Sequence, residues 1–189
     1  MDSILMAFSR EFTASFHAPC PYRGKPGTNW LVSKVWSEYM RGWLRSHYHV
    51  RFEYPLPNRR RLDAALWSIT EADCPPQGKM DIALEWEWDN TKVARDYLSG
   101  DFRKLLDVDA QCGLAIVQTR ADGRRGSMQA DETVRQLQDL YGKHRRDSRS
   151  VALIEIRRVF HQNERVDFVC YFQDLCTSTM QETDGWSYP

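Results

Sequence analysis

The stretch Met80 to Trp88, MDIALEWEW, constrains this chain more than any other. Its second half alternates strictly, so an extended strand puts Ile82, Leu84, Trp86 and Trp88 on one face and Glu85 and Glu87 on the other. A helix would scatter the same residues around its circumference. Two like charges on one strand face cost free energy unless something positive sits between them. A sheet that holds this pair beside a buried apolar layer is suited to binding a hard cation through oxygen.

Length and composition fit one domain. A chain of 189 residues with 42% apolar content can bury a core, and no apolar stretch approaches bilayer thickness. Met1 to Arg10 contains an acid and no sustained apolar run, so no secretory signal is expected. The five cysteines (Cys20, Cys74, Cys112, Cys170, Cys176) form no Cys-x-x-Cys pair, which points to reduced thiols and a cytoplasmic protein. His17 with Cys20, and His47 with His49, have ligand-like spacing. Neither has the second regular pair of a zinc site, so structural zinc is not expected.

A net charge of zero hides an asymmetry. Residues 1 to 61 carry ten Lys/Arg against four Asp/Glu, residues 62 to 109 carry five against eleven, and the remainder balances at eleven each. An acidic centre flanked by a basic arm suits an enzyme that holds cations centrally and a polyanion at its periphery.

Along the chain, residues 1 to 27 read as an irregular lead-in. Thr28 then caps a helix over 29 to 48, with apolar residues from Leu31 to Leu44 at helical spacing. Val50 to Leu56 and Arg61 to Ile69 read as strands, residues 73 to 78 as a turn, and Met80 to Trp88 as a third strand antiparallel to the second. Val93 to Leu106 continue at helical spacing, with Gly100 a candidate kink. Cys112 to Gln118 is a continuous apolar run, as expected of a strand covered on both faces after a crossover helix. An Arg/Gly loop at 120 to 126, a helix at 128 to 143 and strands at Val151 to Val159 and Val166 to Phe172 follow. The tail from Thr177 is polar and reads as loosely held.

The order helix, three strands, helix, strand, helix, strand, strand, with acids on the second and third strands, resembles the PD-(D/E)xK phosphodiesterase superfamily over roughly residues 30 to 160. The resemblance implies an α/β, restriction-endonuclease-like core: a central mixed sheet flanked by helices, in one domain spanning 1 to 189. In that family an acid on the second strand and an acid-x-lysine on the third surround one or two magnesium ions. Asp63, within Arg61-Leu62-Asp63-Ala64-Ala65, matches the first acid and Glu85 the second, but Glu87 stands where lysine is usual. Some restriction enzymes of the family carry Glu-x-Glu, and in other members the lysine has moved to the following helix. Lys92 and Lys104 are the candidates here.

What the resemblance implies is a magnesium-dependent DNA endonuclease, with manganese able to substitute, hydrolysing phosphodiester bonds as a type II restriction enzyme or phage-defence nuclease does. Asp63, Glu85 and Glu87 would hold the metal and its water, and Lys104 or Lys92 would assist. Glu87 could accept the water's proton or hold a second ion. Cutting both strands would favour a homodimer. The missing lysine also suits an alternative, a non-catalytic nuclease-fold subunit for nucleic-acid binding or assembly. Arg59, Arg60, Arg61 and the loop residues Arg124 and Arg125 are phosphate-contact candidates, because guanidinium pairs with phosphate through two hydrogen bonds. Glu38 matches a helical acid found near the metal in some members, although Lys34 and Arg41 offer it ordinary helix pairing. Trp86 and Trp88, opposite the acids, read as core.

Overall fold

The computed structural model describes residues 3–15, 29–69, 79–88, 92–120, 130–144, 150–160, 166–175 and 179–188. Helices α1 (Ser3–Ser15) and α2 (Asn29–His47) precede strands β1 (Tyr48–Pro55), β2 (Arg61–Ser68) and β3 (Met80–Glu87). Helix α3 (Lys92–Asp107), strand β4 (Ala110–Arg120), helix α4 (Ala130–His144) and strands β5 (Ser150–Phe160), β6 (Val166–Asp174) and β7 (Thr179–Tyr188) complete the chain. The strands form one sheet in sequence order. β3, β4 and β5 run parallel and every other neighbouring pair is antiparallel. The protein is thus α/β with a mixed sheet, and its parallel centre is made by two helical crossovers, as the apolar run at Cys112 to Gln118 predicts.

Each sheet face has its own core. Cys112, Leu114 and Ile116 of β4 join Trp36, Met40 and Leu44 of α2 and Leu5, Phe8 and Phe12 of α1 on one side. Ala110, Ala115 and Val117 face Phe102 and Leu105 of α3 and Leu137 and Tyr141 of α4 on the other. Gly113 sets how closely α3 approaches, since a Cβ there would lie 3.2 Å from the Leu105 Cβ. α3 runs through Gly100 without interruption. No helix among the described residues is long and apolar enough to cross a membrane.

Two expectations are corrected. Residues 3 to 15 form a helix, not an irregular lead-in. Leu5, Phe8 and Phe12 make a buried stripe at helical spacing, and Phe8 and Phe12 pack against the Trp43 ring at 5.2 and 5.4 Å. Nor is the tail loose, because β7 pairs along β6 from Asp174↔Thr179 to Val166↔Tyr188. Strand pairing is made by backbone groups, so a polar sequence can close a sheet edge. The turn at 73 to 78, the loop at 121 to 126 and the cap at Thr28 lie outside the described residues. Cys112 and Cys170 are buried; Cys20, Cys74 and Cys176 lie outside the described residues.

Candidate functional site

The site begins where β2 and β3 part. Their ladder has three residue pairs, Ala64↔Leu84, Ala65↔Ala83 and Leu66↔Ile82. An aspartate takes over at each end. The Trp86 N–H donates to Asp63 Oδ2 at 2.8 Å, and the Ser68 N–H donates to Asp81 Oδ2 at 2.7 Å. A carboxylate therefore stands in for a strand carbonyl, and Asp63 is fixed at the opening of the sheet by the residue that follows Glu85.

The β1–β2 pairing is also interrupted here. Phe52↔Ala64 and Tyr54↔Leu62 are paired, but between them Glu53 has φ 50° and the Glu53–Asp63 pair is missing. Left-handed backbone at a non-glycine residue costs on the order of 1 kcal/mol or more. Its consequence is a change of face: Phe52 and Ala64 join the α1/α2 core, whereas Tyr54 and Leu62 join the α3/α4 core.

Glu85 sits on the α3 side of β3, level with Ala115 of β4. It is only 4% exposed. The Lys104 ammonium reaches it from α3, with Nζ 2.8 Å from Glu85 Oε1 in an ion pair. The same Nζ lies 3.0 Å from Asp101 Oδ1 and donates to the Arg61 carbonyl at 2.6 Å. One cation thus gathers oxygens from β2, β3 and α3. Burial pushes the Glu85 carboxyl up to about 9; the nearby Asp63 charge adds to the shift and Lys104 opposes it. Burial raises Asp63 to about 6, against the Trp86 N–H bond and Lys104. For Lys104 burial disfavours the charge, but Glu85 and Asp101 outweigh it and hold its pKa above the ordinary lysine value. The site thus holds a charged Lys104 beside a Glu85 carboxyl that keeps its proton well above the ordinary range.

Asp63, Glu85 and Lys104 are thereby brought together, as the sequence pattern implies. Glu87 is half-buried one step along β3 on the Glu85 face. Among the described residues no three His, Cys, Asp or Glu side chains are grouped at metal-ligand spacing, so the expected three-carboxylate cluster is not formed by them. The side chains of Lys92, Arg124 and Arg125 lie outside the described residues. Arg59 and Arg61 are exposed, and Arg60 pairs with Asp107 at 3.3 Å. Glu38 is exposed on α2, which packs on the opposite core. Trp88 is buried against Trp36 with ring centroids 5.4 Å apart, and Trp86 packs on the same side. Sequence reasoning missed Asp101, although its i,i+3 spacing from Lys104 on a helix is a readable signal.

The donor set suits magnesium better than zinc. It offers hard oxygens only, and magnesium needs no more than one or two carboxylates because it retains waters and takes substrate phosphate oxygens. The Asp63 charge adds to the rise in the Glu85 pKa, and Asp101 and Glu53 add to that of Asp63, so the acids here exceed the one ammonium between them. Comparison of the chain with protein-family models, with curated proteins and with solved structures gave no match.

Proposed function

We propose that this protein is a magnesium-dependent nuclease of restriction-endonuclease-like architecture that hydrolyses phosphodiester bonds in DNA. The observation that carries the reading is the convergence of Asp63, Glu85 and Lys104 at the parting of β2 and β3, on one face of a mixed sheet. Asp63 and Glu85 would hold the ion, with Glu87 next along the strand. When bound, magnesium would polarise the scissile phosphate and lower the pKa of an attacking water. Lys104, released from part of its oxygen shell, has three donors with which to orient that water or offset charge on the phosphate. Glu87 would accept a proton at its carboxylate.

Incubating the protein with plasmid DNA and magnesium or manganese tests this directly. Cleavage is expected, and it should stop in excess chelator and in Asp63→Asn and Glu85→Gln. Discrete bands would indicate site-specific cutting and a smear a nonspecific nuclease. Intact plasmid with bound protein would overturn catalysis in favour of a binding subunit, which the glutamate at position 87 also fits. A ligand stabilises only the state it binds, by about 1.4 kcal/mol at ten times Kd. The parent should therefore melt higher in magnesium and Glu85→Gln should respond far less.

A further inference from the structure

The edge of the sheet next to the acid site carries the most one-sided charge in the described chain. Between residues 41 and 61 there are six arginines and one acid, Glu53. They come from three elements. Arg41 and Arg45 lie one turn apart on α2, Arg51 stands on the edge strand β1, and Arg59, Arg60 and Arg61 form the turn into β2. Arg45, Arg51, Arg59 and Arg61 are exposed. Arg41 pairs with Glu53 at 3.2 Å and Arg60 with Asp107, and both pairs are themselves partly exposed.

The guanidiniums are held on aromatic rings. Arg41 and Arg45 both lie 5.1 Å from the centre of the Phe52 ring, and Arg51 lies 5.6 Å from that of Tyr54. Stacking of this kind contributes about 0.5–1 kcal/mol at exposed sites and restrains a long side chain before any ligand arrives. Like charges at i,i+4 repel by a few tenths of a kcal/mol, so two arginines over one ring form a position that an anion relieves. Phe52 and Tyr54 lie on opposite faces of β1, so the cations flank the strand edge on both sides. The α3–α4 groove differs: there Arg103, Arg135 and Lys143 are interleaved with Glu132 and Asp139.

We infer that the α2–β1 edge, through Arg41, Arg45 and Arg51 to the Arg59–Arg61 turn, is a track for a nucleic-acid backbone that leads to Asp63. It rests on the nuclease reading for the choice of ligand. Evenly spaced phosphates fit cations lying on both sides of one edge, and the rings beneath those cations restrain them. The track ends two residues before Asp63, at the residue whose carbonyl holds Lys104.

Fluorescence anisotropy of a labelled DNA duplex and of its single strand, without divalent ions and across a salt titration, tests the inference. The double variant Arg45→Ala/Arg51→Ala should bind about tenfold more weakly and lose roughly two units of the slope of log affinity against log salt on duplex. Arg135→Ala/Lys143→Ala on α4 removes the same charge and should keep the parental slope. Equal losses in both double variants, a parent that binds neither DNA, or competition by poly-glutamate as effective as by unlabelled DNA would overturn the track. Circular dichroism establishes that each variant is folded. A parent that binds through these arginines yet never cuts with magnesium keeps the track and removes the hydrolase. A parent that cuts while Arg45→Ala/Arg51→Ala binds unchanged keeps the hydrolase and removes the track.

Discussion

Glu85 and Glu155 are both buried acids on the α3/α4 side of the same sheet, 4% and 1% exposed, yet their surroundings are opposite in kind. Glu155 on β5 accepts from the Thr119 hydroxyl and from Arg157, whose Nε and Nη2 reach its two oxygens at 3.1 and 3.2 Å. Arg157 in turn lies over the Tyr171 ring at 4.5 Å. That carboxylate has a matched, two-pronged countercharge fixed by packing. Glu85 has one flexible ammonium, shared with Asp101 and the Arg61 carbonyl, and a second acid nearby. Burial alone does not mark a functional acid. The distinguishing feature is a surplus of acid over base in the immediate shell.

The contrast predicts opposite responses to the same chemical change. Glu155→Gln removes the countercharge of a mostly buried guanidinium and should destabilise the fold by about 3 kcal/mol. Glu85→Gln removes a carboxyl that the fold already disfavours as an anion, and should leave the metal-free protein as stable at pH 7 or more so. Urea melts of both variants measure this, with exposed Asp109→Asn as a control. Similar losses at Glu85 and Glu155 would make Glu85 a second structural strut and remove the distinction.

A smaller effect concerns Lys104. If it acts on the water or the phosphate, Lys104→Ala should lower single-turnover cleavage by about a hundredfold, roughly 2.7 kcal/mol of barrier, with little change in DNA affinity. If its task is only to neutralise Glu85, the double variant Glu85→Gln/Lys104→Ala should regain stability lost in Lys104→Ala without regaining activity. Unchanged cleavage in Lys104→Ala would exclude the side chain from the reaction.

Why these residues were legible, and others were not, follows from the range of the interactions. The alternation at Ile82 to Trp88 and the helical stripe of α2 are local signals, and both elements form as the sequence predicts. Asp63, Glu85 and Lys104 meet because a hairpin and then a crossover helix return to the same strand, a topology that element order alone suggests. The Glu155 cluster is only partly local: Arg157 follows it at i+2 on the same strand face, a readable spacing, but the rest of the cluster is not. Thr119 and Tyr171 are brought in by the parallel register Val117↔Glu155 and the antiparallel register Glu155↔Tyr171, and neither register is written in one segment. β7 was unreadable for a related reason, since backbone pairing asks little of side chains. The stripe of α1 was a different case: Leu5, Phe8 and Phe12 were present, but about two turns of apolar spacing near the chain start is a short pattern.

The subtlest prediction is a pH slope. Glu85 is raised from an ordinary value of 4.5 to about 9, so between those limits the folded protein keeps a proton that the unfolded chain has released. The native state binds more protons there, and stability must fall as pH rises across the window. Asp63, raised from 3.8 to about 6, acts with the same sign but is finished by about pH 6. Lys104 is raised above 10.5, so its favourable term is intact until higher pH and does not enter. Between pH 6 and 9 the parent should therefore lose stability relative to Glu85→Gln, whose own profile lacks this term, and the difference between the two cancels the histidines they share. Urea midpoints at half-unit intervals supply the curve. A parent that runs parallel to Glu85→Gln over that range would mean that Lys104 holds Glu85 ionised, with no surplus of acid left to attract a metal.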